Sequence, residues 1–233
     1  MTTTQTVLIT GCSSGFGLET ARLFHDRGWS VIATMRTPRE DLLPVSDRMR
    51  ILPLDVTDAA SIAAAVAAAG PVDVLVNNAG VGLLNAVEGL SDRMIREVFE
   101  TNTIGTIATT RAVLPQMRER RAGVVVNVTS TVTLLQVYTA SKAAVNAFTE
   151  CLALELEGFD VRARIVLPGR APDTAFADNA RERMGFDIPE AYQPMAQAVF
   201  AAWQQEAGDL TLSGDVAGAV WRAATDPACD WVL

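Results

Sequence analysis

The chain has 233 residues, which suit one large domain or two small ones, and 49% of them are apolar, so a sizeable core is possible. The formal net charge of −8 argues against a nucleic-acid partner, whose phosphates favour a basic surface, and against an anionic membrane. Three widely spaced cysteines and a lone histidine, His25, argue against a disulfide framework, a metal site and histidine-based catalysis.

Short apolar runs rich in β-branched residues recur along the chain. They are continuous rather than alternating, which is typical of strands that are buried on both faces of a sheet. We predict six strands, in chain order TVLIT (6–10), WSVIAT (29–34), MRILPL (49–54), VDVLV (72–76), GVVVNV (123–128) and DVRARIVL (160–167).

Helical patterns follow most of these runs. Alternating strands and helices imply right-handed βαβ units, so we predict an α/β fold with a Rossmann-type, doubly wound parallel β-sheet flanked by helices on both faces. No linker, repeat or low-complexity tract divides the chain, and residues 1–233 are expected to form a single Rossmann-type domain. The predicted helices end near Arg27, run from Asp58 to Ala69, from Ser91 to Arg120 and from Tyr138 to Glu157, and cover about 174–184, 190–206 and 213–225.

The segment TGCSSGFG (10–17) joins the first predicted strand to the first helix. A dinucleotide-binding turn occupies this place, because its glycines let the backbone turn tightly and approach a pyrophosphate at the helix N-terminus. Its spacing is G-x-x-x-G-x-G, not the commoner G-x-G-x-x-G, and an ordinary tight turn is the alternative. The predicted cofactor contacts here are Gly11, Ser13, Ser14, Gly15, Phe16 and Gly17.

The end of the second predicted strand bears on the choice of cofactor. A carboxylate there would bind the ribose 2′-hydroxyl of NAD. The sequence instead runs Thr34-Met35-Arg36, and the first carboxylate is Glu40. Arg36 could pair with a 2′-phosphate through a forked, charge-assisted contact, so NADP is favoured over NAD. A solvated surface arginine is the alternative.

Four motifs, in this order, resemble the classical short-chain dehydrogenases/reductases: TGCSSGFG (10–17), NNAG (77–80), YTASK (138–142) and LPG (167–169). The likeness covers nearly the whole chain. It implies an oxidoreductase that transfers hydride between NADP(H) and the carbonyl or secondary alcohol of an apolar small molecule. It also implies further cofactor contacts at Asp55, Val56, Asn78, Ala79, Gly80, Tyr138, Lys142, Pro168, Gly169 and Thr174.

Lys142 is the only lysine of the chain, and it follows Tyr138 by four residues, which places both on one helix face. A nearby ammonium would favour the phenolate and lower the tyrosine pKa from its usual value of about 10. The resemblance implies that Lys142 also binds the nicotinamide ribose and that Tyr138 exchanges a proton with the substrate oxygen. A chance YxxxK pattern is the alternative.

Two further residues complete the implied catalytic set. Asn102 would hold a water that links Lys142 to solvent, and an asparagine bonded to nearby backbone is the alternative. Ser130 would hydrogen-bond the substrate carbonyl, with Thr129 and Thr131 as alternative hydroxyls. The predicted catalytic residues are Asn102, Ser130, Tyr138 and Lys142.

The sequence departs from the family pattern in two places. Only seven residues separate Ser130 from Tyr138, fewer than usual. Either the substrate pocket is shortened and more open, or a segment is missing from the sequence given. Seven residues reach about 25 Å when fully extended, so both side chains can still face one pocket. The end of the chain, 231–233, is a short and poor candidate for a final strand.

The segment from about 171 to 207 is the expected substrate lid. Six of its apolar or aromatic side chains could line a hydrophobic pocket, although ordinary helix packing explains each of them equally well. These are Phe176, Met184, Phe186, Tyr192, Met195 and Phe200.

Three expectations concern the wider setting. A catalytically silent dinucleotide-binding regulator is the competing function, favoured by the short loop and disfavoured by the full catalytic set.

The helices 91–120 and 138–157 could pair between subunits, as in family members, or only pack on the sheet; we expect a homodimer or homotetramer. MTTTQTVLIT lacks the features of a signal peptide and no run is long enough to span a membrane, so we expect a cytoplasmic protein.

Overall fold

The computed structural model describes residues 4–83, 85–131, 136–176, 179–180, 188–205, 210–230 and 232. Within these residues, six strands form one parallel sheet of order β3-β2-β1-β4-β5-β6. The predicted Rossmann-type α/β fold is therefore confirmed. The strands are β1 (Thr6–Ile9), β2 (Ser30–Met35), β3 (Met49–Pro53), β4 (Val74–Asn77), β5 (Gly123–Val128) and β6 (Val161–Val166).

Seven α-helices lie within the described residues. The predicted helix at 213–225 has the predicted bounds, and the one at 190–206 begins as a 3-10 turn, Glu190–Tyr192. Most of the predicted helix 174–184 lies outside the described residues. The helices are α1 (Gly15–Asp26), α2 (Ala59–Ala69), α3 (Asp92–Phe99), α4 (Gly105–Arg120), α5 (Gln136–Leu156), α6 (Gln193–Gln205) and α7 (Ser213–Thr225).

The apolar strands supply a core on each face of the sheet. Val7 and Ile9 of β1 belong to the core that α1 and α7 cover, whereas Leu8 belongs to the core that α2, α4 and α5 cover. Both sets are buried, which is why the strands read as continuous apolar runs. This arrangement leaves the carboxyl ends of the strands free to carry polar residues.

The predicted helix from Ser91 to Arg120 is wrong as a single element. A π-helical turn, Glu100–Ile104, separates α3 from α4. In that turn the Asn102 and Thr103 side chains bond to groups outside their own helix, which favours the irregular turn over regular continuation. The interruption thus falls on a predicted catalytic residue.

A chain of buried polar side chains crosses the sheet below its carboxyl edge. Asn77 of β4 and Asn127 of β5 are register partners, and Asn77 Nδ2 donates to Asn127 Oδ1 at 2.8 Å. Asn77 Nδ2 also donates to Thr110 Oγ1 of α4, and Asn127 Nδ2 donates to Thr149 Oγ1 of α5. These bonds connect two strands with two helices, and we call the four residues the amide chain.

The remaining sequence predictions about boundaries have mixed outcomes. Val232 forms an isolated parallel bridge with Ile165 of β6, while its neighbours 231 and 233 lie outside the described residues. The centre of the short loop, 132–135, also lies outside them. None of the helices that the structure describes is both long and apolar enough to cross a membrane.

Candidate active site

A cleft of about 1240 Å³ lies at the carboxyl ends of the strands. Doubly wound sheets bind their ligands at this edge. Most of the predicted site residues line the cleft, although they come from distant parts of the sequence. The predicted residues that line it are Gly11, Ser13, Ser14, Gly15, Phe16, Arg36, Asp55, Val56, Asn78, Ala79, Gly80, Tyr138, Lys142 and Thr174.

The glycine-rich turn is braced by the loop that follows β4. Gly11 has a φ of +75°, and a Cβ on it would lie 2.8 Å from Ala79 Cα. Asn78 Nδ2 donates to the carbonyl oxygens of Thr10 and Gly11 at 3.0 and 3.1 Å. The backbone amides of Asn78 and Ala79 both donate to Thr10 Oγ1. Gly17 lies beneath the turn rather than in the cleft lining.

Gly17→Ala is expected to destabilise the protein and weaken cofactor binding. A Cβ on Gly17 would overlap the Gly11 carbonyl oxygen and lie 2.5 Å from Asn78 Nδ2, so the turn must shift. Overpacking of this kind costs about 1–3 kcal/mol. Thermal unfolding and NADPH titration measure both effects. Gly218→Ala in α7 is the control, because nothing lies within 4 Å of its added Cβ; equal behaviour of the two variants would contradict the steric explanation.

One end of the cleft carries Arg36 and Asp55. Asp55 Oδ1 accepts hydrogen bonds from the backbone amide and hydroxyl of Thr57 at 2.9 and 2.7 Å. These bonds, with a smaller contribution from the charge of Arg36, lower the pKa of Asp55. Arg36 is exposed at the end of β2 and lines the cleft. An anionic group could therefore meet the arginine there, beside a fixed carboxylate.

Tyr138 and Lys142 lie one turn apart on α5, and both are buried. Each is 6% exposed. Lys142 Nζ donates to the carbonyl oxygen of Val128 at 2.9 Å. Burial lowers the pKa of Lys142 from 10.5 to about 8. The ammonium is therefore close to its titration point near neutral pH.

The predicted lowering of the Tyr138 pKa is wrong for this structure. Burial of the phenol raises its pKa, and a side-chain hydrogen bond with Ser130 opposes that rise in part. Lys142 directs its ammonium to the Val128 carbonyl instead, and the lysine is not among the groups that shift the phenol. Desolvation thus dominates over the charge pairing that the sequence suggested.

Ser130 is the hydroxyl that meets Tyr138, as the motif position predicts. The two alternative hydroxyls are engaged elsewhere: Thr129 Oγ1 donates to the Val166 carbonyl and Thr131 Oγ1 to the Pro168 carbonyl. Ser130 itself is absent from the residues that line the cleft, so it reaches the site through the phenol.

Asn102 is fully buried in the π-helical turn behind the cleft. Its Oδ1 accepts from the Val81 amide at 2.8 Å, and its Nδ2 donates to the Val81 carbonyl and to Ser141 Oγ, both at 3.0 Å. The side chain is therefore bonded to groups that are distant in sequence, and its water relay stays a prediction. A Cβ on Gly80 would lie 3.3 Å from both Asn102 Oδ1 and Lys142 Nζ. Gly80 therefore lies between these two side chains and leaves little room for a side chain of its own.

The segment after β6 reaches the cleft only in part. Pro168 and Gly169 do not line it: the Pro168 carbonyl accepts from the Thr131 amide at 3.0 Å, and the Gly169 amide donates to Thr211 Oγ1 at 3.1 Å. Thr174 does line the cleft, with side-chain carbons 3.2 Å from a Cβ built on Gly15. The glycine turn and the segment after β6 therefore face each other.

The expected lid residues have different outcomes. Phe176 lines the cleft beside Tyr138, and the Tyr192 hydroxyl donates to Glu88 Oε2 at 2.9 Å outside it. Met195 is 45% exposed. The predictions for Met184, Phe186 and the side chain of Phe200 fall outside the described residues.

Sequence reasoning missed several residues of the site. Ser141 is fully buried, donates to the Tyr138 carbonyl at 2.6 Å and accepts from Asn102. It lies inside YTASK, and its spacing of three from Tyr138 could have revealed it. Gly82 and the α3 residues Arg93 and Arg96 also line the cleft, without a motif to mark them. The described part of the chain contains no group of three or more His, Cys, Asp or Glu side chains that could hold a metal ion.

Comparisons with known proteins agree with this architecture. A family model described as short chain dehydrogenase matches residues 5–185. The chain is 38% identical to 3-ketodihydrosphingosine reductase of Bacteroides thetaiotaomicron, over 75% of this chain and 66% of the relative. It is 41% identical to retinol dehydrogenase 8 of Homo sapiens, over 71% of this chain and 58% of the relative. The chain thus spans less than two thirds of the length of these curated relatives.

A solved structure extends the likeness to the fold. The closed form of serine dehydrogenase complexed with NADP+ superposes with a TM-score of 0.81 and 32% identity, over 96% of this chain and 90% of that chain. The family match covers the glycine turn, the lining of the cleft and helix α5 together. On these grounds the chain belongs to the short-chain dehydrogenase/reductase family.

Proposed function

We propose that the chain is an oxidoreductase that transfers hydride between NADP(H) and the carbonyl or secondary alcohol of an apolar substrate. The observation that carries the proposal is the buried phenol of Tyr138, hydrogen-bonded to Ser130, at the wall of a cleft that the glycine turn also lines. The names of the two relatives, a keto reductase and a retinol dehydrogenase, support the same chemistry.

The residues of the cleft suit a nicotinamide dinucleotide. The turn 11–16 supplies backbone and serine donors for a pyrophosphate, and Arg36 and Asp55 stand where the adenosine would lie. Lys142 and Thr174 are the groups that would meet the nicotinamide half. The bound cofactor supplies or accepts the hydride, and the protein positions it and manages the proton.

Tyr138 is the proposed proton donor in the reductive direction. Its raised pKa keeps the phenol protonated at neutral pH, which is the form that can donate to a substrate oxygen. As hydride reaches the carbonyl carbon, the phenol proton moves to the oxygen and an alcohol and a phenolate result. Lys142, with a pKa of about 8, is a group that can return a proton near neutral pH. Ser130, whose link to the cleft is its hydrogen bond with Tyr138, is proposed to hold the phenol in position for the carbonyl oxygen.

The residues of the cleft beside Tyr138 bear on the polarity of the substrate. Val81, Gly82 and Phe176 offer no charge next to Tyr138. An apolar substituent is therefore favoured where the substrate contacts these three residues, because they offer no partner to a charge.

The test is NADPH oxidation by the purified protein with a panel of apolar ketones and aldehydes. Saturable reduction of at least one member is expected. Tight NADPH binding without turnover of any member would contradict the proposal and favour a silent, cofactor-sensing protein.

Arg36→Ala is expected to lower kcat/KM for NADPH by about 10- to 100-fold, because a charge-assisted bond to the 2′-phosphate contributes about 1.5–3 kcal/mol. The value of kcat/KM for NADH should stay close to that of the wild type, since NADH lacks that phosphate. Steady-state kinetics with both cofactors measures the ratio. Arg39→Ala is the matched control, because Arg39 is exposed, pairs with Asp41 and does not line the cleft. An unchanged NADPH-to-NADH ratio in Arg36→Ala would remove the basis for the NADP preference.

A further inference from the structure

Phe176 covers the proposed proton donor. Its ring centroid lies 5.1 Å from that of Tyr138, with the planes tilted by 58°. Aromatic rings at this separation are in contact, so no substrate atom fits between them. Both residues line the cleft, and Tyr138 is only 6% exposed. A substrate therefore reaches the phenol from the side of Tyr138 that the Phe176 ring leaves open to the cleft.

Gly82 holds the other side of that ring. A Cβ placed on Gly82 would lie 2.7 Å from Phe176 Cζ, 3.0 Å from Phe176 Cε1 and 3.0 Å from Ala180 Cβ. The outer edge of the ring thus packs directly on the Gly82 backbone, and the ring also contacts Tyr138. Any side chain larger than hydrogen at 82 would displace it.

The backbone that precedes Phe176 is anchored on the start of α7. Asp173 Oδ2 accepts from both the amide and the hydroxyl of Ser213, at 2.8 and 2.7 Å. The Thr211 amide donates to the Arg170 carbonyl at 2.9 Å, and Thr211 Oγ1 accepts from the Gly169 amide. These four bonds hold the backbone that precedes Phe176 and so restrict how far the ring can move away from Tyr138.

We infer that Phe176 is a specificity-determining residue that limits the size of one substituent on the substrate carbonyl, so that the protein takes aldehydes and methyl ketones and rejects ketones branched at that position. The inference rests on the proposed function. A carbonyl oxygen within about 2.6–3.2 Å of the phenol brings its substituents next to the Phe176 ring. A hydrogen or methyl group fits beside a fixed ring, whereas an isopropyl group must displace it.

The expected discrimination can be measured with two matched aryl ketones, acetophenone and isobutyrophenone, which differ only at the limited position. One methylene in a close-fitting pocket changes kcat/KM by about 10-fold or more, so the wild type should favour acetophenone by at least that factor. In Phe176→Ala the preference should fall to within about threefold, because the ring that excludes the larger group is gone. Comparing variants cancels the intrinsic difference in reactivity between the two ketones.

A second variant alters the contact of the same ring with residue 82. Gly82→Ala should displace Phe176 and change the ratio while leaving the ring present. Phe176→Val removes the ring but leaves a smaller cavity than alanine, and it serves if Phe176→Ala does not fold. Phe159→Ala and Gly218→Ala are the controls, since Phe159 is exposed, Gly218 has open space for a methyl group and neither lines the cleft.

The outcomes separate this inference from the function on which it rests. Affinities of both ketones for the NADP+-loaded protein, measured by calorimetry, test the size limit on binding without turnover. Folded variants at Phe176 and Gly82 that keep the wild-type ratio would overturn the inference, even if the protein is a working reductase. Absence of turnover with every ketone and aldehyde, together with a size-dependent affinity, would overturn the proposed function and support the size limit.

Discussion

Tyr138→Phe is expected to lower the rate of ketone reduction by roughly 10²–10⁴-fold, which is the usual contribution of a positioned proton donor. Phenylalanine keeps the ring that packs against Phe176, so the fold and the affinity for NADPH should stay near wild type. Stopped-flow reduction kinetics and NADPH fluorescence titration measure the two quantities. The variant removes one hydroxyl group and the hydrogen bond with Ser130.

Tyr192→Phe is the matched control for this experiment. The chain has two tyrosines, and Tyr192 is half-buried, bonded to Glu88 and outside the cleft lining. Turnover in Tyr192→Phe should match wild type. Retained turnover in Tyr138→Phe with normal NADPH binding would refute the acid role of the phenol.

Lys142→Met is expected to abolish most activity while making the folded protein more stable at pH 7. Loss of the ammonium removes a proposed cofactor contact and proton source, and we expect at least about a 10²-fold fall in kcat/KM. Stability should rise although activity falls, because the wild type buries a charged amine that the variant lacks. A pKa fall from 10.5 to about 8 corresponds to about 3 kcal/mol of destabilisation at neutral pH, and leaving the Val128 carbonyl unbonded offsets about 1–2 kcal/mol of the gain.

The sign of the pH dependence follows from the same two pKa values. Between pH 8 and 10.5 the unfolded chain keeps the lysine proton while the folded chain loses it, so this group makes the free energy of unfolding rise with pH. The advantage of Lys142→Met should therefore be largest at pH 7 and narrow toward pH 9.5. Denaturant unfolding at several pH values, below the usual tyrosine pKa, measures this difference. A variant less stable than wild type at pH 7 would contradict the burial penalty.

Lys142 also allows its pKa to be measured directly. It is the only lysine in the chain, so carbon-labelled lysine gives a single NMR resonance that titrates with this group alone. A midpoint near pH 8 agrees with the buried environment, whereas a midpoint near 10.5 would show a hydrated amine.

The sequence was most informative where one local property decides the structure. GVVVNV became β5 at its predicted bounds, because its β-branched residues are buried on both faces of the sheet. Asp58 was predicted as a helix cap and accepts from the Ala60 amide. The helix 91–120 was not predicted correctly, because its π-helical turn depends on Val81 and Ser141, which are distant in sequence.

The same distinction applies to the candidate site. Motif positions placed the glycine turn, Tyr138 and Lys142 in one cleft. The direction of the Tyr138 pKa could not be predicted from the spacing of four, because burial by neighbours such as Phe176 decides it. The roles of individual residues, single-domain organisation and homo-oligomeric assembly stay predictions.

The amide chain of Asn77, Asn127, Thr110 and Thr149 has a consequence for engineering. Each member is buried and hydrogen-bonded to another, so replacing one alone strands a neighbouring donor or acceptor away from water, at about 1–3 kcal/mol. An apolar redesign of this interior would have to exchange all four together. Directed evolution by single substitutions should therefore leave this cross-link untouched, and improved variants will carry their changes in the rim around the cleft.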